Sequence, residues 1–173
     1  MVTDISIFKN SEGKFLFVSQ SSDLRGLPVL IPDILTLAQS YTLIDVGIIA
    51  RKAISVCEAN PILEKPKEDF DNLLKRITGL KSYKAVGKEW KMVSVGHYPG
   101  GEDNLPSKRI QRMIEIRPSK FRVGAHRGFS WDPVFTLDFD CSNEELGATI
   151  IKAFDAIDTM SEGIDNPERK RIK

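Results

Sequence analysis

Histidine and cysteine are scarce in this 173-residue chain, which has two of each: His97 and His126, Cys57 and Cys141. Each cysteine stands in an apolar stretch with no second cysteine or histidine at metal-ligand spacing. The expectation is two reduced core thiols, not a disulfide or a metal site. No run of about 18 apolar residues is present that could cross a bilayer. Met1 to Phe8 lacks the basic region and long apolar stretch of a signal peptide, so the sequence reads as cytoplasmic. An excess of charge of either sign is missing too. Lys and Arg number 25 against 24 Asp and Glu, a net charge of +1, which argues against a dedicated nucleic-acid binder but not against a local basic patch.

Catalytic constellations are equally thin. Nucleophilic catalysis needs a nucleophile, a base and an orienting group that meet. His97 and His126 fall on expected strand ends, where a surface or hydrogen-bonded imidazole is the commoner arrangement; acid–base cleavage of RNA by the pair is the enzymatic alternative. Pro99-Gly100-Gly101-Glu102-Asp103-Asn104 has two glycines but no lysine-serine ending, and it puts acids where a phosphate would sit, so it reads as an exposed turn. Asp132, Asp138 and Asp140, without histidine support, read as a solvated strand edge and not as a metal site. The expectation is a protein with no catalytic residues, no metal and no cofactor.

What is present is an ordinary globular composition, 41% hydrophobic and 28% charged, which excludes a disordered chain. The length suits one domain over residues 1–165, with a charged tail at 166–173. Ile5, Ile7, Phe15 and Phe17 alternate with polar neighbours around Asn10-Ser11-Glu12-Gly13, the pattern of a hairpin. The apolar stretch Val29 to Leu37, interrupted by Pro32, predicts a short helix. Leu43, Val46, Ala50, Ala53, Ile54 and Cys57 follow helical spacing, and Ile44, Ile48 and Ile49 widen the apolar surface, which predicts a deeply packed helix. Phe70, Leu73, Leu74 and Ile77 give another helix, closed by Gly79. Strands follow at 91–98, 110–116, 121–126 and 134–139, and a last helix opens near Ser142 with Leu146, Ile150, Ala153, Phe154 and Ile157 on one face. The fold class is α+β: an antiparallel β-sheet meander packed against three to four α-helices.

Two helix openings repeat one pattern. Thr42-Leu43-Ile44-Asp45-Val46-Gly47 and Ser142-Asn143-Glu144-Glu145-Leu146-Gly147 each carry a hydroxyl residue, an acid three positions on, an aliphatic residue and a glycine. Each fits a capping box. A glycine inside a helix costs about 0.5–1 kcal/mol relative to alanine, so its use in both helices predicts close packing there.

Charge concentrates between Lys108 and Arg127, where Lys108, Arg109, Arg112, Arg117, Lys120, Arg122 and Arg127 face the single acid Glu115. Such a strand pair is either an edge protected by charge or a binding face. In the second case Arg109, Arg112, Arg117, Arg122, His126 and Arg127, with Phe129 and Trp131, supply the arginine and aromatic anchors that protein interfaces favour.

A resemblance sharpens the functional expectation. Met113-Ile114-Glu115-Ile116-Arg117-Pro118, Gly128-Phe129, Val134-Phe135-Thr136-Leu137 and the Ser142 helix opening, together with Asp45-Val46-Gly47, resemble the immunity proteins of bacterial contact-dependent growth inhibition systems. The resemblance implies a small cytoplasmic α+β protein that binds the toxin domain delivered by a neighbouring cell, often a nuclease, and neutralises it without chemistry of its own. It carries over no individual binding residue. The alternatives are a nucleic-acid binder using the basic strand pair 108–127, and a small RNA-cleaving enzyme using His97 and His126.

Overall fold

The computed structural model describes residues 3–22, 28–31, 34–60, 70–98, 112–122, 125–127 and 132–160. The tail 166–173 lies outside them. The chain opens with the expected hairpin, β1 (Thr3–Asn10) and β2 (Phe15–Ser22). Ile7 pairs with Phe17 and Ile5 with Ser19, so alternation sends Ile5, Ile7, Phe15 and Phe17 to one face and Phe8, Leu16 and Val18 to the other. In the turn, the Asn10 side chain accepts from the Lys14 amide at 2.9 Å. Gly13 sits at φ +82°, a conformation that favours glycine.

The short helix expected over 29–37 is not formed. That stretch supplies two strands, β3 (Pro28–Leu30) and β4 (Leu35–Leu37), which pair side by side with the two ends of β2. The outer edge of β2 offers unpaired backbone groups, and Val29, Ile31, Leu35 and Leu37 satisfy the strand period of two as well as any helical one. Tertiary pairing decides the outcome.

Helix α1 (Leu43–Ala59) starts in a complete capping box between Thr42 and Asp45. Helix α2 (Phe70–Thr78) ends at Gly79, whose φ is +73°. Helix α3 (Tyr83–Glu89), capped by Ser82, is an addition to the elements expected from the sequence and runs directly into β5 (Trp90–Tyr98).

The region expected to hold two strands, 110–116 and 121–126, instead forms one long strand, β6 (Met113–Arg122), followed by β7 (Ala125–Arg127). Pro118 does not interrupt β6. Strand β8 (Phe135–Asp138) pairs with Met113–Ile116 and β7 with Lys120–Arg122, so Pro118 falls in the gap between them, where a residue without an amide donor costs no ladder bond on that side. The antiparallel sheet runs β3-β2-β1-β5-β6-β7, with β4 also on β2 and β8 also on β6. Consecutive strands are antiparallel neighbours in two runs, β1-β2-β3 and β5-β6-β7, which join where β1 pairs with β5.

Helices α1 and α4 (Asn143–Ala156) cover one face and enclose the larger core with Ile5, Ile7, Phe15, Phe17, Val93, Val95, Ile114 and Ile116. A 3₁₀ turn, Ile157–Thr159, follows α4. Helices α2 and α3 cover part of the other face through Leu73, Leu74 and Val86 against Phe8, Leu16 and Val18. The repeated glycines are where α1 and α4 touch. A methyl group on Gly47 would overlap the backbone carbonyl of Asn143, and one on Gly147 would overlap the carbonyl of Leu43.

Candidate functional site

The outer side of α1 carries one stripe. Ile44, Ile48, Arg51, Ser55 and Glu58 recur at intervals of four and three residues, which aligns them along the helix away from buried Val46, Ala50, Ala53 and Cys57. Ile44 and Ile48 are 46% and 45% exposed, with Leu43 beside them at 39%. Apolar spacing predicts both isoleucines in a deeply packed surface; of the three that widen it, only Ile49 joins the core. Large aliphatic side chains grouped in water mark contact surfaces more often than scattered ones do.

The stripe ends in a charged and aromatic corner. Arg112, just ahead of β6, holds its guanidinium 3.8 Å from the ring centre of Phe139, just after β8. Its Nη2 lies 3.6 Å from Glu58 Oε1 and 3.5 Å from His97 Nε2. His97 stacks on the same ring at 4.3 Å and 30°. Arg51 fixes this platform from below: its Nη1 donates to the Phe139 carbonyl at 2.8 Å, its Nε to Asn143 Oδ1 at 2.9 Å, and its Nη2 to the Cys141 carbonyl. An arginine half exposed and already seated on an aromatic ring loses little freedom when a partner's carboxylate meets it.

His97 itself is shielded, 1% exposed. Its Nδ1 sits 3.0 Å from Glu58 Oε1, at ion-pair distance but not aligned as a hydrogen bond. Burial pushes its pKa below the usual imidazole value, against Glu58, which raises it, and with Arg112, which lowers it. The sign follows for stability. Between the folded value and the unfolded value of about 6.5 the unfolded chain binds more protons, so the contribution is complete above about pH 6.5 and erodes as pH falls through that window. Urea midpoints measured from about pH 7.5 to about pH 5.5 should therefore fall more steeply for the wild type than for His97→Gln.

Of the expected site residues, Arg112 and Arg117 are the two whose side chains are described, and they lie on opposite faces of β6. Arg112 joins the corner just described. Arg117 projects from the opposite face of β6 and pairs with Glu115, in a groove of about 260 Å³ shared with Asp4, Ser6, Gln20 and Ser94. There burial and Glu115 raise the pKa of Asp4, and Arg117 opposes them. Arg122, His126 and Arg127 lie in the β6–β7 hairpin, and only their backbone is described. Arg109, Phe129 and Trp131 fall outside the described residues. The register also separates the two histidines. His97 is level with Ile114 and His126 with Phe121, seven residues along β6 or roughly 23 Å, too far for one scissile phosphate.

Sequence reasoning misses Glu58, Phe139 and the role of Arg51. The spacing 44, 48, 51, 55, 58 is a usable signal, but hydrophobicity at two of those positions reads as burial.

No family model and no curated protein sequence matches the chain. Solved structures do share its fold. A "Protein of Unknown Function NMB0488 from Neisseria meningitidis" is similar over 90% of this chain and 94% of its own, with a TM-score of 0.59 and 18% identity. A chain of the "CdiA-CT/CdiI toxin and immunity complex from Yersinia pseudotuberculosis" is similar over 90% of this chain and 97% of its own, with a TM-score of 0.62 and 16% identity.

Proposed function

We propose that this protein binds the toxin domain of a contact-dependent growth inhibition system and neutralises it by covering its active site or the approach of its substrate. The supporting observation is the shared fold with a chain of a toxin and immunity complex, matched over 97% of that chain. The exposed Ile44 and Ile48, continuous with Arg112 on Phe139, have the chemistry of a protein interface: an apolar centre with an arginine and aromatic anchor at its rim. Inhibition by occlusion needs a rigid surface of about 800 Å² on each partner and no catalytic group. The nucleic-acid alternative draws less support, because Arg112 and Arg117 project from opposite faces of β6 and Arg117 is paired with Glu115.

The test is purification of the tagged protein from its native cells, followed by co-expression with the C-terminal domain of any large secreted protein recovered with it. The expected result is arrested growth with that domain alone, normal growth when both are made, and a stoichiometric complex on purification. Copurification of nucleic acid with no protein partner would contradict the proposal.

A further inference from the structure

At the end of the sheet away from Arg112, three lysines stand side by side. Lys9 and Lys91 are directly opposite one another on β1 and β5. The β5–β6 register, which pairs Met92 with Ser119, brings Lys120 level with Lys91 on the next strand. Alternation with Ile7, Val93 and Ile116 turns all three toward the face that carries α4. Like charges opposed on adjacent strands repel, and the core gains nothing from them.

Two of these charges are accounted for. Lys91 pairs with Asp158 at 2.8 Å and Lys120 donates to the Met160 carbonyl at 2.9 Å, both just past the C-terminal end of α4, where cations offset the helix dipole. Lys9 is different. Its ammonium lies 5.4 Å from the Phe15 ring centre and 5.9 Å from that of Phe154, and among the described residues no carboxylate is within ion-pair distance. Lys88, exposed on α3, likewise has none.

These four lysines line a cavity of about 610 Å³. Phe154 lines it on the α4 face and Trp90 and Phe121 on the α3 face, so the cavity spans the end of the sheet, and Glu89 and Asp155 also reach it. Counting Asp158 with those two acids, four positive charges face three negative ones, a net surplus of one positive charge. We infer that this cavity binds a small organic anion, a phosphate or carboxylate group held by Lys9 and Lys88 and carried on an apolar body that rests against the aromatic side chains. The volume falls in the range of small-molecule sites, roughly 300–1,000 Å³, and a bare inorganic ion would leave most of it unfilled. The site is at the far end of the sheet from the α1 stripe, so it stands or falls independently of the toxin reading.

Titration of the full chain with AMP and, separately, with benzoate, followed by NMR at the Trp90 indole, tests the inference and shows which anion is preferred. The expected result is a saturable shift with at least one probe that weakens as salt is added. Lys9→Met and Lys88→Met should each lose about tenfold in affinity, the worth of one charge-assisted hydrogen bond. The urea midpoint of Lys9→Met should be equal to or above the wild type's, because the change relieves repulsion; this separates loss of binding from loss of fold. No saturable shift at Trp90 with either probe would overturn the inference, as would a shift unchanged in the Lys9→Met/Lys88→Met double variant.

Discussion

Gly47→Ala and Gly147→Ala should each destabilise the protein by about 3 kcal/mol, although alanine is the better helix former by about 1 kcal/mol. At each position the new methyl group meets a backbone carbonyl of the opposite helix, Asn143 for Gly47 and Leu43 for Gly147. A flexible side chain could swing aside, but a helix backbone moves only if the whole helix moves. Separating α1 from α4 would also open the main core, where Ala50, Ala53, Ile150 and Ala153 are fully buried. In a domain of this size 3 kcal/mol corresponds to a fall in melting temperature of roughly 6–12 °C. Because both substitutions force the same separation, the double variant should lose less than the sum of the two. Urea denaturation of the two single variants and the double variant measures all three values, and an unchanged midpoint in either single variant would show that the helices do not meet there.

That contact is legible in the sequence itself. Two helices that each open with a hydroxyl cap, an acid and an interior glycine point to close approach, since glycine inside a helix otherwise only costs stability. The opening hairpin is legible for a similar reason: alternation and a turn glycine agree. Local signals fail where the choice is made elsewhere in the chain. Val29 to Leu37 supplies two strands because the edge of β2 is open to pair with them, and Pro118 is absorbed into β6 because its outer side is unpaired at that point. The corner around Arg112 is hidden from the sequence for a geometric reason. It assembles Glu58, His97, Arg112 and Phe139 from four separate parts of the chain, and no spacing records that they meet.

Arg51→Ala should cost about 2–3 kcal/mol and Arg51→Lys most of that. Three donors of one guanidinium hold the Phe139 carbonyl, the Cys141 carbonyl and Asn143 Oδ1, which ties the turn between β8 and α4 to the middle of α1. Hydrogen bonds to a charged donor are worth about 1.5–3 kcal/mol when buried, and this side chain is only half buried, so water recovers part of the loss. Lysine keeps the charge but cannot direct donors to three acceptors in a fixed plane. The variant has a second consequence that a purely structural arginine would not have. Phe139 loses its anchor, so Arg112 loses the ring it rests on, and affinity for the partner should fall in Arg51→Lys even where most molecules remain folded. Urea midpoints and binding measured on the same preparation separate the two effects.

The most direct test of the account is calorimetric titration of the toxin domain with the wild type and with Ile48→Asp, Arg112→Ala and Glu12→Ala. Ile48 and Arg112 are exposed, so their substitution should leave the urea midpoint within about 0.5 kcal/mol of wild type. Each should nevertheless weaken binding by at least about 30-fold, as expected of interface anchors worth about 2 kcal/mol or more. Glu12→Ala, in the turn between β1 and β2, should bind as the wild type does. Equal affinity for all four proteins would place the partner on another surface and contradict the central claim.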